Sequence, residues 1–97
     1  MTTVALIATN ELPEGHKPVT LLTLNGFGFT PHSHVNFRIE SDQGSVVAAG
    51  GASVAADGRF HWNSSAFPQL DCDSNLMATV TDQSGIQLTV RSPVHCV

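Results

Sequence analysis

Basic residues are scarce in this sequence. Four Lys and Arg stand against eight Asp and Glu, a net charge of −4 with histidine neutral. The chain therefore has no positive footprint for a phosphate backbone and no polybasic patch for an anionic membrane surface, so neither a nucleic-acid nor a membrane partner is expected. No apolar run approaches the roughly 20 residues that a spanning helix needs. Met1 to Asn10 is mildly apolar, but it lacks the basic segment and long apolar run of a secretory leader. Tyrosine is absent, tryptophan occurs once, and only two cysteines are present, enough for one bridge. No stretch sustains a helical period. What remains abundant is apolar, β-branched and Thr residues, a composition that favours an all-β domain. Ninety-seven residues fit a single domain, 1–97, with one core and something to gain from a cross-link.

The most strongly patterned stretch is the last, Asn75 to Val97. Leu76, Ala78 and Val80 alternate with Met77, Thr79 and Thr81, and Ile86, Leu88 and Val90 alternate with Gln87, Thr89 and Arg91, as half-buried strands do. Gln83-Ser84-Gly85 between them suits a three-residue hairpin loop, because Gly takes the left-handed position without a Cβ clash. Centring the pairing on Ser84 puts Val80 opposite Leu88 and Ala78 opposite Val90, so both apolar sets share one face. The same register sets Cys72 against Cys96 on that inner side and predicts a disulfide, with two buried free thiols as the alternative. A bridge without an export leader is reconciled by a trimmed chain, or by release of the kind virion components undergo on lysis.

Two further loops have the same form. Asp42-Gln43-Gly44 would pair Ile39 with Val47 and Phe37 with Ala49, and Ala56-Asp57-Gly58 would pair Val54 with Phe60 and Ala52 with Trp62. Gly50-Gly51 would let the strand cross to another sheet. Upstream, Val4, Leu6 and Ala8 oppose Ala5 and Ile7 in a first strand that is apolar on both faces. Val19 to Leu24 follows without clean alternation, and Pro13, Gly15 and Pro18 interrupt regular structure between the two.

Gly26-Phe27-Gly28-Phe29-Thr30-Pro31, Val35 to Ile39, Val54-Ala55-Ala56-Asp57-Gly58-Arg59-Phe60 and Ala78 to Asp82 together resemble bacterial and phage immunoglobulin-like modules over about two thirds of the chain. Those modules commonly carry a Gly-x-Gly-Phe-x-Pro-Gly lead-in to strand C; here His32 replaces the Gly after Pro. The resemblance implies an immunoglobulin-like β-sandwich of seven to eight antiparallel strands, with A-B-E-D packed on C′-C-F-G. It carries no catalytic residues and implies attachment, as a spacer on a cell surface or an appendage on a phage head or tail.

Within that arrangement Ala5, Ile7, Val19 and Leu21 fall on the outer side of the A-B-E-D sheet, where a solvated face should be polar, and are the candidate interface. The alternatives are a cover formed by the Glu11 to Pro18 loop, or a one-residue slip that turns the second strand over. His32 and His34, near the loops of Asp57 and Asp82, have the residue types of a divalent-metal site, but exposed polar loop residues are the dominant reading. Ser33 lies between these histidines, yet a nucleophile needs a base and an orienting group beside it. His61, beside Arg59 and Asn63, reads as a surface position, and His16 and His95 as residues of the opposite end. Asp71 and Asp73 flank Cys72 and would discourage its thiolate. Asn63-Ser64-Ser65 fits a glycosylation sequon.

No cofactor, metal or catalytic residue is therefore expected. The expected function is a non-enzymatic phage accessory or decoration protein, located on the virion, that docks on a capsid or tail protein and has scope for homo-oligomers. The alternative is a cell-surface adhesion or carbohydrate-binding module.

Overall fold

In the computed structural model, residues 1–12, 14, 15, 17–72 and 74–96 are described, and they contain no helix. They form seven strands: β1 (Thr3–Glu11), β2 (Val19–Phe27), β3 (His34–Ser41), β4 (Val46–Ser53), β5 (Phe60–Ala66), β6 (Asn75–Thr81) and β7 (Gln87–His95). All belong to one mixed sheet in the order β4-β3-β6-β7-β1-β2-β5. Alternation places the strands as period-two patterning requires. Val35, Phe37 and Ile39 of β3 are buried, as are Leu76, Ala78 and Val80 of β6, Leu22 and Leu24 of β2, and Leu6 and Ala8 of β1, all in one core. The largest of these side chains contribute roughly 1.5–3 kcal/mol each when withdrawn from water. Phe37 of β3 meets Trp62 of β5 with ring centroids 4.6 Å apart. Four strands separate those two in the sheet order, so the sheet folds over on itself until its ends meet around the core, nearly a barrel.

The expected antiparallel set is mixed instead, because β7 and β1 pair in parallel, through Ala8 with Val94 and Thr9 with His95. Every other ladder is antiparallel. In the β6–β7 hairpin Val80 faces Leu88 and Ala78 faces Val90 as the sequence predicts. Cys72 and Cys96 meet at disulfide distance, Cα atoms 5.7 Å apart. They keep the inner parity but lie at the exposed rim. The closed loop of 24 residues is worth roughly 3–4 kcal/mol in lost chain entropy of the unfolded state. Ile86 falls outside β7 and is exposed, since its backbone closes the turn on Asp82.

Two expectations about the middle of the chain are corrected. Val54 and Phe60 do not pair across a third hairpin, and there is no separate strand between β4 and β5. The turn at Ala56-Asp57-Gly58 forms, with Gly58 N–H donating to Ala55 O and Ala55 N–H to Arg59 O. Beyond it Val54 is engaged elsewhere, giving its N–H to Ser33 O and accepting from His32 N–H. β4 therefore continues through Gly50-Gly51 as a single strand on β3. The register also shifts between Ile39 and Glu40, so that Ile39 faces Ala48 and Phe37 faces Gly50, one residue from expectation. The irregularity lets Val47 be passed over and sets Gly50 opposite Phe37.

Beside the β1–β7 joint lies a buried polar ring. Leu70 N–H donates to Thr20 Oγ1 at 2.9 Å, the Thr20 hydroxyl donates to Asn10 Oδ1 at 2.6 Å, and Asn10 Nδ2 donates back to Leu70 O at 3.0 Å. The remaining Asn10 hydrogen points toward Cys96 Sγ at 3.4 Å. Both side chains are buried, Thr20 completely, so the ring stabilises by keeping every member satisfied. Asn10→Ala should cost about 1–3 kcal/mol by leaving the Thr20 hydroxyl and the Leu70 carbonyl without that partner. The urea midpoint at unchanged slope measures it, and a shift worth less than about 0.5 kcal/mol would show that the ring is dispensable.

Candidate docking face

β1 and β2 pair from Thr3–Phe27 through to Glu11–Val19, and burial shows which parity faces out. Leu22 and Leu24 are in the core, whereas Ile7 is 50% and Leu21 39% exposed, and Ala5 and Val19 are half-buried. β2 is thus registered with Val19 and Leu21 outward. Leu12, in the following loop, is itself 73% exposed rather than folded over them.

Each outward cross-strand pair couples one apolar with one polar residue: Thr3 with Phe27, Ala5 with Asn25, Ile7 with Thr23, Thr9 with Leu21, Glu11 with Val19. Apolar residues therefore never sit directly opposite one another. They connect along strands and across diagonals, where neighbours lie about 7–8 Å apart. The result is a zigzag path, Phe27–Ala5–Ile7–Leu21–Val19, bordered by Thr9, Thr23 and Asn25. Phe27, 40% exposed, was not among the residues expected here, because Gly26 to Pro31 reads as a turn-rich connection. The outward parity of Val19 and Leu21, carried on through Thr23 and Asn25, is the signal that reaches it.

At one end of this face Asn25, Gly26 and Phe27 join Ser53, Ala55 and the Asp57–His61 segment around a groove of about 530 Å³. The Arg59 guanidinium lies 5.2 Å from the Phe27 ring centroid and 3.8 Å from Asp57. That ion pair is solvent-exposed and adds little stability. His61 is exposed on β5, its ring nitrogens hydrogen-bonded to Asn25 and Asn63.

The expected gathering of loops is present. Phe29 N–H donates to Gly58 O at 3.0 Å, and His34 N–H to Gln83 Oε1 at 3.0 Å. The side chains nevertheless do not assemble a site. Among the described residues no three His, Cys, Asp or Glu converge. Asp82 is occupied by its own turn, accepting from the Ser84 hydroxyl at 2.7 Å, Ser84 N–H at 2.9 Å and Ile86 N–H at 3.0 Å. The Ser84 hydroxyl is the main reason its carboxyl sits below the usual carboxylate range, with the backbone N–H groups adding to it. Ser33 directs its hydroxyl to Thr30 O at 2.6 Å, a turn contact. His95 is exposed near the end of β7, Asp71 closes a turn with Ser74, and Asn63-Ser64-Ser65 is exposed on β5. His16, Asp73, Pro13 and Val97 lie outside the described residues.

Thr30 O accepts from Ser33 N–H, with Pro31 second and His32 third at φ 60°. This is the pattern of a type II turn, whose third position favours glycine. No protein-family model matches the chain and no curated protein matches it.

Because a non-glycine residue at positive φ costs about 1–2 kcal/mol, partly offset by the extra chain entropy glycine loses on folding, His32→Gly should stabilise by about 0.5–1 kcal/mol. Thermal unfolding measures this. A lower midpoint would mean that the imidazole makes contacts worth more than the backbone strain.

Proposed function

We propose that the protein is a non-enzymatic, immunoglobulin-like module that serves as a phage virion accessory or decoration protein, docking on a capsid or tail protein through the outer face of β1 and β2. The strand order supports the immunoglobulin-like reading: β4-β3-β6-β7 follows C′-C-F-G, and β1-β2-β5 follows A-B-E with D missing. So does the junction of the two glycine motifs, where Gly26 leaves room for the Phe60 ring and Phe29 packs edge-on against Phe60 at 5.2 Å. The observation that carries the docking role is the exposed path through Ile7 and Leu21, on a face whose remaining positions are polar. A large partner would cover it, and the polar outer side of β3, β6 and β7 would stay in solvent.

Leu21→Asp tests this. The domain should unfold at the same temperature as the wild type, because Leu21 lies outside the core, while its occupancy on particles purified from the native source falls at least tenfold. Full occupancy would remove the docking role.

A second reading, a carbohydrate-binding module, is favoured by the groove beside Phe27, where an exposed aromatic ring lies near Asn25, Asp57 and Arg59. Under that reading the protein binds soluble oligosaccharides in titration calorimetry, and Phe27→Ala abolishes the heat. A wild type silent across neutral and acidic oligosaccharides at millimolar concentration would discard it.

A further inference from the structure

The folded-over sheet has two edges, β4 and β5. Proteins usually blunt such edges with charge, proline or short length, because a free row of N–H and C=O groups invites another strand. β4 has none of these devices. Its eight residues, Val-Val-Ala-Ala-Gly-Gly-Ala-Ser, contain no charged side chain and no proline. Val46, Ala49, Gly50 and Gly51 are exposed, and no side chain of the strand is longer than valine. β5 is also uncharged, but its flank carries Trp62 and the His61 side chain fastened to Asn25 and Asn63.

We propose that β4 is a dimerisation strand, on which a second copy of this chain pairs its own β4 antiparallel about a twofold axis at Gly50, so that inward positions meet inward ones and outward meet outward. Gly50 then faces Gly50 of the second copy, Ala49 faces Gly51 and Ala48 faces Ala52, so that small residues meet small residues. The strand itself, uncharged and small along its length, suits a copy of itself, and charge sets the direction. The turn leading into β4 holds Asp42, while Glu40 nearby is engaged by Arg38 at 3.2 Å. The far end of β4 lies beside His34, which pairs with Ser53 and rests its ring on Gly51; Asp57 there is engaged by Arg59. Antiparallel pairing sets each copy's Asp42 end against the other's His34 end, whereas parallel pairing would set Asp42 against Asp42. An isologous pair of this kind closes on itself and stops at two. It leaves the outer face of β1 and β2 free, and so goes beyond the docking role and does not rest on it. A single strand pair buries less than a standard interface, so the dimer is weak, dissociating between about 10 μM and 1 mM.

Sedimentation velocity of the full chain across that range should show monomer passing to dimer and no further; a wild type that stays monomeric throughout overturns the proposal. Ala49→Lys, at an exposed outward position, should keep the unfolding midpoint and remain monomeric, and a dimer of undiminished strength in this variant overturns it too. Hydrogen exchange on the wild type decides the matter even if that variant folds poorly. Amides of β4 should gain protection with concentration, whereas gain confined to β1 and β2 would place the contact on the other face and refute the β4 assignment.

Discussion

Two residue pairs hold the two halves of this sheet together. Ala8–Val94 and Thr9–His95 form the only parallel ladder among the described strands, and parallel pairing is slightly the weaker kind per residue. Everything near that joint acts to hold it. The residue after Thr9 is Asn10, locked in the ring with Thr20 and Leu70, and the residue after His95 is Cys96, bonded to Cys72. The connection from β5 to β6 is pulled in by the same groups, since Leu70 supplies both its N–H and its carbonyl to side chains of β1 and β2. A stretch without strand structure thus obtains the backbone satisfaction that a ladder would have given it.

The resemblance to immunoglobulin-like modules rests on motifs that lie about 30 residues apart, and the structure supplies the physical reason they occur together. Gly26 is glycine because a Cβ would overlap the Phe60 ring, and Gly58, at φ 80°, approaches the Phe29 backbone whose N–H it receives. Gly-x-Gly-Phe and Asp-Gly-x-Phe are halves of one packed unit at one end of the core. His32 departs from the motif at a position where the backbone asks for glycine, and this sets the residue apart from its neighbours more clearly than any chemistry of its imidazole.

What the sequence made legible was local. The β6–β7 register, the meeting of the cysteines and the outward parity of Ile7 and Leu21 follow from alternation and one turn, and all appear. What it hid was the competition between partners. The Ala56-Asp57-Gly58 turn has hairpin chemistry, yet turn chemistry does not decide which strand the flanks will join, and Val54 went to Ser33 and His32. The β3–β4 irregularity was equally hidden, because alternation and the turn both fit the regular pairing that it displaces by one residue. Asn10 and Thr20 were readable in principle. Each extends an inward apolar series, Leu6-Ala8-Asn10 and Thr20-Leu22-Leu24, and a polar residue at an inward position has to find a partner. The candidate face was four-fifths legible for the same reason: Ala5, Ile7, Val19 and Leu21 follow the strand parity, while Phe27 was concealed by the glycines around it.

The parallel run of β1 and β7 has a mechanical consequence. β1 leaves the N-terminal end of the molecule at Thr3 and β7 finishes at the opposite end at His95, so tension between those two points runs along both strands. It loads the bridging hydrogen bonds in shear, all at once, instead of peeling them open one after another. Load entering at Cys96 also crosses the bond to Cys72, which spares the β6–β7 hairpin. A tethered copy of this fold would yield by sudden rupture of that short ladder rather than by gradual unzipping.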